Sequence, residues 1–356
     1  MLEATKLISI EPTKHSRIAE LDAKTLVFGK HFSDHMFLTE YEDGKWHNPR
    51  IVPFGNLSMS PSISALHYGQ AIFEGMKAHK NDQGEVMIFR PLENHRRLNA
   101  SAQRMCMPSI PEDIFMEGLT QLLRMDSAWV LADEGCSLYI RPFMFAIDEF
   151  LGVRTSNTYR FMIITSPAGP YYKDPVKLKV ETQFARAFEG GVGYTKAAGN
   201  YGVSLYPTKL ANEQGYHQII WTDAREHKYI EEAGMMNVMF VVGDTLLTPS
   251  LTTHTILPGK TRDSILTIAR DWNMKVEERR ITVQEIIDAH KNGTLKEAFG
   301  VGTAATVAHI SVIGHEGTDY QIPIGDEHSF SKRAAIHLTK IRKGQTEDIH
   351  NWTMKI

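Results

Sequence analysis

The chain contains the stretch Arg186-Ala-Phe-Glu-Gly-Gly-Val-Gly-Tyr-Thr-Lys196-Ala-Ala-Gly-Asn-Tyr201, in which a lone lysine is bracketed by glycine and alanine. Small neighbours let a bulky group lie against the backbone, and they remove the side chains that would carry the ammonium into water. Because desolvation disfavours the charged form, a lysine held in this way can lose its proton near neutral pH. We therefore interpret Lys196 as a candidate nucleophile. A solvated lysine in a Gly-rich surface loop is the alternative.

A neutral lysine amine is suited to a Schiff base with a carbonyl cofactor such as pyridoxal phosphate. Such a site needs four further groups. These are an anion cradle for the phosphate, an acid partner for the pyridine nitrogen, a donor to the ring oxygen and a grip on the substrate carboxylate. The rest of the chain offers candidates for these roles.

The composition is that of an ordinary globular protein. The 356 residues are 42% hydrophobic and 23% charged, and this length predicts about two domains. With 39 basic and 42 acidic residues the net charge is −3, so neither nucleic acid nor an anionic membrane is expected as a partner. Cys106 and Cys136 form no close-spaced motif, which disfavours a disulfide framework. We expect a cytoplasmic protein, because the sequence shows no signal peptide and no apolar run of membrane-spanning length.

Strand and helix patterns occur on both sides of a turn-rich segment at 166–175. Strands are predicted at 135–145, 159–165, 218–222 and 236–242, and helices are predicted to begin near residues 91, 111, 261 and 282. The hydroxyl of Thr282 is expected to pair with Glu285 in a capping box. We predict an α/β (α+β) chain of two domains, residues 1–172 and 173–356, with the linker at about 166–180.

A candidate phosphate cradle lies in Leu257-Pro-Gly-Lys-Thr261, which leads directly into the predicted helix. Helix N-termini attract anions through their backbone N–H groups and their dipole, and Gly259 allows close approach. Arg96 is a candidate for an additional bidentate contact. The alternatives are a simple Pro-Gly turn and a surface arginine.

Two acidic residues precede a very apolar strand in Tyr229-Ile-Glu-Glu-Ala-Gly-Met-Met-Asn237. We interpret Glu232 as the group that keeps the pyridine nitrogen protonated, which makes the ring an electron sink. Because burying two carboxylates is costly, Glu231 is expected to be solvated.

A second small-residue segment, Phe299-Gly-Val-Gly-Thr-Ala-Ala-Thr-Val307, is a candidate for the substrate carboxylate. Backbone N–H groups at Thr303 and Ala304 can form an anion-binding nest. A tight structural turn explains this segment equally well.

Together these segments resemble the branched-chain amino acid aminotransferases of the fold-type IV pyridoxal phosphate enzymes. The resemblance runs from about Val27 to the C-terminus and rests on an ordered set of motifs: Phe28-Gly-Lys30, Asp34-His-Met36, Leu66-His-Tyr-Gly-Gln-Ala-Ile-Phe-Glu-Gly-Met-Lys-Ala78, Phe89-Arg-Pro-Leu-Glu-Asn94, Leu138-Tyr-Ile-Arg-Pro142, Gly190-Gly-Val-Gly193, Gly199-Asn-Tyr-Gly202, Glu232-Ala-Gly-Met-Met-Asn237, Ile256-Leu-Pro-Gly259 and Gly302-Thr-Ala-Ala305. It implies a homodimer whose chains have a smaller N-terminal α/β domain and a larger C-terminal domain with a mixed β-barrel-like core.

The resemblance also implies roles for individual residues. Lys196 resembles the Schiff-base lysine, Tyr201 the tyrosine that donates to the phenolic oxygen, and Glu232 the partner of the pyridine nitrogen. The other implied cofactor-binding positions are Arg96, Arg186, Lys260, Thr261 and Thr303. The implied substrate-binding positions are Phe28, Tyr68, Phe73, Tyr139 and Tyr171 for the side chain, Arg141 for the γ-carboxylate of glutamate, and Thr303 with Ala304 for the α-carboxylate.

The activity that the resemblance implies is ping-pong transamination of leucine, isoleucine or valine with 2-oxoglutarate, without a metal. Three alternatives are weaker. Gly259-Lys260-Thr261 is similar to the end of a phosphate-binding P-loop, but His254 stands where that motif needs glycine. The 16 histidines include no His-Glu-x-x-His pair of a metal hydrolase. The Arg-x-His carboxylate trap of D-amino acid aminotransferases is missing, because Pro142 and Phe143 follow Arg141.

Overall fold

The computed structural model describes residues 8–169, 172 and 174–356, and these residues form two compact units. The first unit contains the described residues up to 169 together with Thr195–Ala198 and Lys340–Ile356. The second unit contains the described part of Tyr172–Tyr194 together with Gly199–Thr339. A single boundary near residue 172 therefore does not describe the division, because the segment around Lys196 and the C-terminal segment belong to the first unit.

The strands of the described chain are β1 (Ser9–Ile10), β2 (His35–Glu42), β3 (Lys45–Pro53), β4 (Ala71–Phe73), β5 (Met76–Lys80), β6 (Val86–Phe89), β7 (Ser137–Ala146), β8 (Tyr159–Ala168), β9 (Val176–Val180), β10 (Gln218–Thr222), β11 (Ile230–Ala233), β12 (Met236–Val242), β13 (Thr245–Pro249), β14 (Lys275–Arg279), β15 (Leu295–Gly302), β16 (Thr306–His315), β17 (Thr318–Gln321) and β18 (Thr353–Lys355). Its helices are α1 (Ser64–Tyr68), α2 (Pro91–Arg104), α3 (Glu112–Met125), α4 (Gly199–Gly202), α5 (Leu205–Glu213), α6 (Lys260–Asp271), α7 (Val283–Lys291) and α8 (Phe330–Arg342). Short 3₁₀ turns occur at Ile18–Glu20, Ala23–Thr25 and Ser127–Trp129. Within this part of the chain every helix is too short or too polar to cross a bilayer.

In the described part of the first unit a sheet has the order β1-β3-β2-β8-β7-β5-β6-β18, with β4 added to β7. All of its pairings are antiparallel except that of β1 with β3. The predicted strands at 135–145 and 159–165 are confirmed as β7 and β8, which pair from Ser137↔Ala168 to Ala146↔Tyr159.

The helix predicted to begin near residue 111 is confirmed as α3, and Pro111 is its N-cap. Phe115, Leu119 and Leu122 lie on one face of this helix and are fully buried. Gly118 lies on the same helix, and a Cβ atom there would be 2.7 Å from Cζ of Phe37 in β2. The glycine therefore lets α3 lie close against the sheet.

Six strands of the second unit close into a ring with the order β11-β10-β9-β16-β15-β12, which returns to β11 through the pair Glu232↔Asn237. The pairings of β9 with β10 and with β16 are parallel, and the other pairings of the ring are antiparallel. The predicted mixed β-barrel-like core is confirmed.

Successive side chains of the barrel strand β10 point to opposite faces of the sheet, as in any β-strand, and therefore pack in different hydrophobic clusters. Ile220 packs in a cluster with residues of β12 and α7, whereas Ile219 and Trp221 pack with Ala211 of α5. Both faces of this part of the barrel are therefore covered by side chains.

The helix ends follow the sequence signals with small differences. Thr282 is the N-cap of α7, and its hydroxyl accepts the Glu285 N–H at 3.0 Å. The Glu285 carboxylate pairs with Arg279 at 3.0 Å, so the second half of the predicted capping box is replaced by an ion pair. Trp272 is the half-buried C-cap of α6.

Packing of α3 against its sheet is tested by Leu119→Ala, which should lower the free energy of unfolding by about 2–5 kcal/mol because it leaves a buried cavity. Leu151→Ala is the matched control, since Leu151 is 69% exposed and should change stability by less than about 0.5 kcal/mol. Urea denaturation followed by circular dichroism measures both. Equal shifts in the two variants would contradict this packing.

Candidate active site

The segment around Lys196 is fixed by hydrogen bonds to β4 and α2. The Phe73 N–H donates to the Lys196 carbonyl at 3.0 Å, and the Ala198 N–H donates to the Ala71 carbonyl at 2.9 Å. The Lys196 N–H itself donates to the Ser101 hydroxyl at 3.0 Å. Both sides of the lysine are therefore anchored within the first unit, and its backbone position is set by the sheet.

Two cationic side chains contact the Phe73 ring. The Lys196 ammonium lies 4.6 Å from the centre of this ring, and the Arg141 guanidinium lies 4.5 Å from it. An Arg141 Nη donates to the Tyr139 hydroxyl at 3.2 Å. Such contacts hold a cation by attraction to the negative face of the ring. The structure thus brings together Lys196, assigned from the sequence to the cofactor, and three residues assigned to the substrate, Phe73, Tyr139 and Arg141.

The Arg141 Nε is buried, and it finds no hydrogen-bond acceptor among the described residues. A buried donor without an acceptor costs about 1–3 kcal/mol, so an arriving acceptor gains by pairing with it. The Arg141 side chain is therefore suited to bind an anionic group.

An aromatic wall adjoins this arginine. The Phe28 and Tyr139 rings meet edge to face with their centres 4.8 Å apart. A Cβ atom at Gly75 would overlap the Tyr139 hydroxyl, so a glycine is needed beside this ring. Arg141 lies over the rings of Phe73 and Tyr139, and Tyr139 contacts Phe28, so the three rings form one aromatic group around the arginine.

The structure does not place the other two predicted pocket residues, Tyr68 and Tyr171, in this aromatic group. Tyr68 ends α1, is 44% exposed, and has its ring 6.1 Å from that of His67. Tyr171 lies outside the described residues.

Glu232 is a buried carboxylate with a fixed set of partners in the second unit. Its Oε1 accepts the Leu257 N–H at 2.8 Å and the Asn237 side-chain amide at 3.3 Å. Its Oε2 lies 3.2 Å from Arg186 Nε, and an Arg186 Nη donates to the Thr255 carbonyl. Donors and a paired cation stabilise the ionised form of a buried acid. The Glu232 carboxylate is therefore suited to accept a hydrogen bond from a protonated nitrogen.

Glu231 is buried as well, with 6% of its surface exposed, so the expectation that it is solvated is wrong. Every residue of β11 is buried, because side chains cover both faces of the barrel there. Burial is the largest influence on this carboxyl and raises its pKa, against the opposing effects of the Thr255 hydroxyl and the Arg186 charge.

The start of α6 lies tightly against β12. A Cβ atom at Gly259 would overlap Asn237 Oδ1, and the Asn237 amide donates to the Leu257 carbonyl at 2.9 Å. Gly259 is the N-cap of α6 and no side chain caps that end. Lys260 and Thr261 form the first turn, half-buried and buried respectively. An uncapped helix start of this kind attracts anions.

The remaining predicted residues occupy separate elements. Tyr201 lies half-buried in α4, and Thr303 and Ala304 lie half-buried in the turn between β15 and β16. Arg96 is exposed on α2 of the first unit. No group of three or more His, Cys, Asp or Glu side chains suited to a metal occurs among the described residues.

The partners that position these residues were not predicted from the sequence. Asn237 was visible in its motif, and the register Glu232↔Asn237 across the hairpin would have identified it as a neighbour. The acceptor of the Lys196 N–H, Ser101, and the carbonyl that binds Arg186, Thr255, depend on long-range contacts that carry no local signal.

Comparison with known proteins gives a consistent result. The family model described as amino-transferase class IV matches residues 71–313. The chain is 44% identical over 356 residues to branched-chain-amino-acid transaminase 1 of Bacillus subtilis (strain 168), covering 99% of both chains. A crystal structure of the Escherichia coli branched-chain amino acid aminotransferase is similar with a TM-score of 0.74 and 27% identity, covering 90% of this chain and 98% of that one. The same fold occurs in the PLP-form of the branched-chain amino acid aminotransferase from Thermobaculum terrenum. Its TM-score is 0.74 at 23% identity, with 90% of this chain and 97% of that chain covered.

The position of Arg186 is tested by Gly193→Ala. The new Cβ would overlap the Thr255 carbonyl, which accepts from Arg186, and it would also overlap Ala187. Because backbone must then move, we expect a loss of about 1–3 kcal/mol in the free energy of unfolding. Gly55→Ala is the control, since that position is open. Thermal and urea denaturation report both, and an unchanged stability of Gly193→Ala would refute the tight contact.

Proposed function

The chain belongs to the amino-transferase class IV family, and from that membership we propose how its residues bind and convert its substrates. It is a pyridoxal phosphate-dependent transaminase of branched-chain amino acids, as are full-length relatives by name at 44% identity. The reaction moves an amino group reversibly between leucine, isoleucine or valine and 2-oxoglutarate. One observation carries the substrate proposal: the Arg141 guanidinium lies over the rings of both Phe73 and Tyr139, so an apolar surface and a cation occur side by side.

The residues of the second unit fit the cofactor. Gly259 admits a close backbone approach at the uncapped start of α6, where Lys260 and Thr261 offer an anion-attracting turn for the phosphate. The ion-paired Glu232 supplies a carboxylate for the ring nitrogen. When bound, pyridoxal phosphate supplies an electron sink that stabilises negative charge at the substrate Cα.

Lys196 has the central chemical role. We assign its Nζ to hold the carbonyl carbon of the cofactor and then to accept and return the proton at the substrate Cα. The Phe73 ring and the anchored backbone keep this amine in one place. A positioned acid–base group of this kind contributes about 10²–10⁴-fold to a proton transfer.

The other cofactor assignments rest on chemistry and family correspondence. Glu232, kept ionised by Arg186, holds the proton at the ring nitrogen. Tyr201 donates its hydroxyl to the ring oxygen. Arg96 and Thr303 are assigned to the phosphate with the start of α6.

Substrate binding must serve two unlike side chains. Phe28, Phe73 and Tyr139 offer apolar surface for a branched side chain, which gains about 25 cal/mol per Å² buried. For glutamate, the buried Nε of Arg141 offers a donor to the γ-carboxylate. The remaining assignments are the backbone at Thr303 and Ala304 for the α-carboxylate, and Tyr68 and Tyr171 for the side-chain pocket.

We further propose a homodimer located in the cytoplasm. The dimer follows the family resemblance. The location is supported by Cys106 and Cys136, which are both free thiols, as in proteins of reducing compartments.

Lys196→Ala should lower kcat at least about 100-fold because no group then moves the Cα proton. Lys209→Ala is the matched control, since the Lys209 side chain is 72% exposed, and it should retain full activity. Circular dichroism checks that both variants fold. Borohydride reduction of the wild-type holoenzyme followed by peptide mass mapping should place the cofactor on Lys196. Labelling of a different lysine would reject the assignment.

Arg141→Gln should reduce kcat/KM for glutamate by about 10–100-fold, because it removes a charge-assisted hydrogen bond. Activity with leucine should change only a few-fold, since leucine has no γ-carboxylate. Steady-state kinetics with both donors gives the ratio. Arg160→Gln, on β8, is the control and should leave the ratio unchanged. Equal losses on both donors would show that Arg141 is a structural residue.

A further inference from the structure

A second buried carboxyl lies next to the one assigned to the cofactor. Glu231 lines a cavity of about 390 Å³ in the second unit, together with Glu226, Tyr229, Thr255 and Arg280. It is 6% exposed, and its Oε2 has no hydrogen-bond partner among the described residues. The roles assigned to the transaminase site leave this group unused.

The surroundings of Glu231 favour a neutral carboxylic acid. An ionised carboxylate with one buried oxygen lacking a donor is costly, whereas a neutral carboxyl loses much less by the same burial. The Thr255 hydroxyl is the hydrogen-bonding neighbour of Glu231, and it lies 2.8 Å from the Thr253 hydroxyl. An O–H on Glu231 can therefore donate to Thr255, which donates in turn to Thr253.

The local charges make this protonation state matter. Arg186 is the cation that acts on Glu231 and also forms the ion pair with Glu232. Asp223 also acts on Glu231, but its carboxylate accepts backbone N–H groups of the turn that follows β10. The cavity is also lined by the charged residues Glu189, Arg225, Glu226 and Arg280, and the last of these stacks on Tyr229 at 3.7 Å.

We propose that Glu231 is a positioning residue which, as a neutral acid, leaves the Arg186 guanidinium to Glu232 and so keeps Glu232 ionised for the cofactor ring nitrogen. This inference rests on the proposed function and adds a residue to it. An ionised Glu231 would compete for Arg186 and would repel the Glu232 carboxylate through the strand they share. Both effects weaken the partner of the ring nitrogen.

The direction of the pH dependence follows from burial. The pKa of Glu231 is raised above its ordinary value of 4.5, so the folded chain keeps a proton that the unfolded chain has lost. The stability of the folded state therefore falls as the pH rises from 4.5 through the folded pKa. Above the folded pKa, the ionised Glu231 also weakens cofactor binding.

The test compares wild type, Glu231→Gln and the control Glu226→Gln. Glutamine is uncharged at every pH and has the shape of the neutral acid, and Glu226 lines the same cavity but is exposed. In urea denaturation of the apoenzyme between about pH 5 and 9, the free energy of unfolding of Glu231→Gln should increase relative to that of wild type as the pH rises.

Titration with pyridoxal phosphate measures the affinity for the cofactor. The Kd of Glu231→Gln should be within about twofold of the wild-type Kd at neutral pH. Over the alkaline range the wild-type Kd should rise at least about threefold more than that of Glu231→Gln. Glu226→Gln should follow wild type in both measurements.

Two results would overturn the inference. A Kd for Glu231→Gln that is at least about tenfold weaker at neutral pH would show that Glu231 acts as an anion. Parallel curves for Glu231→Gln and wild type would show that it does not act on the cofactor. Glu231→Leu, also uncharged, is the second variant if glutamine impairs folding, and it should flatten the Kd profile in the same way. Failure to bind the cofactor on Lys196 would instead reject the proposed function, so the two failures are distinguishable.

Discussion

The buried ion pair between Arg186 and Glu232 is the interaction on which the proposed cofactor-binding residues of the second unit depend. Removing the cation from such a pair leaves an uncompensated buried charge, at a cost of about 3–5 kcal/mol. The pair is itself held from both ends, since Leu257 donates to the carboxylate and Thr255 accepts from the guanidinium. Barrel closure at the register Glu232↔Asn237 fixes the carboxylate in place. The fold therefore maintains a charged acceptor where solvent is excluded.

In the proposed function, the first unit must bind an apolar and an anionic substrate with one set of side chains. The Phe73 ring is suited to both, because its negative face attracts the cations of Lys196 and Arg141, while the ring itself remains apolar surface. Backbone hydrogen bonds place Lys196 beside β4, so the geometry of the lysine is inherited from the sheet. In this proposal a branched side chain contacts the apolar ring surface, and the γ-carboxylate of glutamate contacts the Arg141 cation.

Local sequence predicted most of the elements and named the candidate site residues, but the long-range contacts that position them could not be read from it. The strands at 218–222 and 236–242 were identified because continuous apolar, β-branched runs are typical of buried strands. Their closure into a barrel involves the parallel pairing of β9 with β16, which no local pattern specifies. The assignment of Lys196 to the first unit depends on such contacts too. The prediction that Glu231 is solvated was wrong because both faces of β11 are covered by side chains. This coverage is a property of the whole barrel and leaves no signal in the local sequence.

The most direct test of the account compares pyridoxal phosphate with its 1-deaza analogue, which has no ring nitrogen, in wild type and in Glu232→Gln. If Glu232 acts through the ring nitrogen, its replacement should lower kcat with leucine by at least about 100-fold on the natural cofactor. On the deaza analogue, where the wild type is already slow, the same replacement should have little further effect. An equal loss on both cofactors would contradict the central role of this carboxylate.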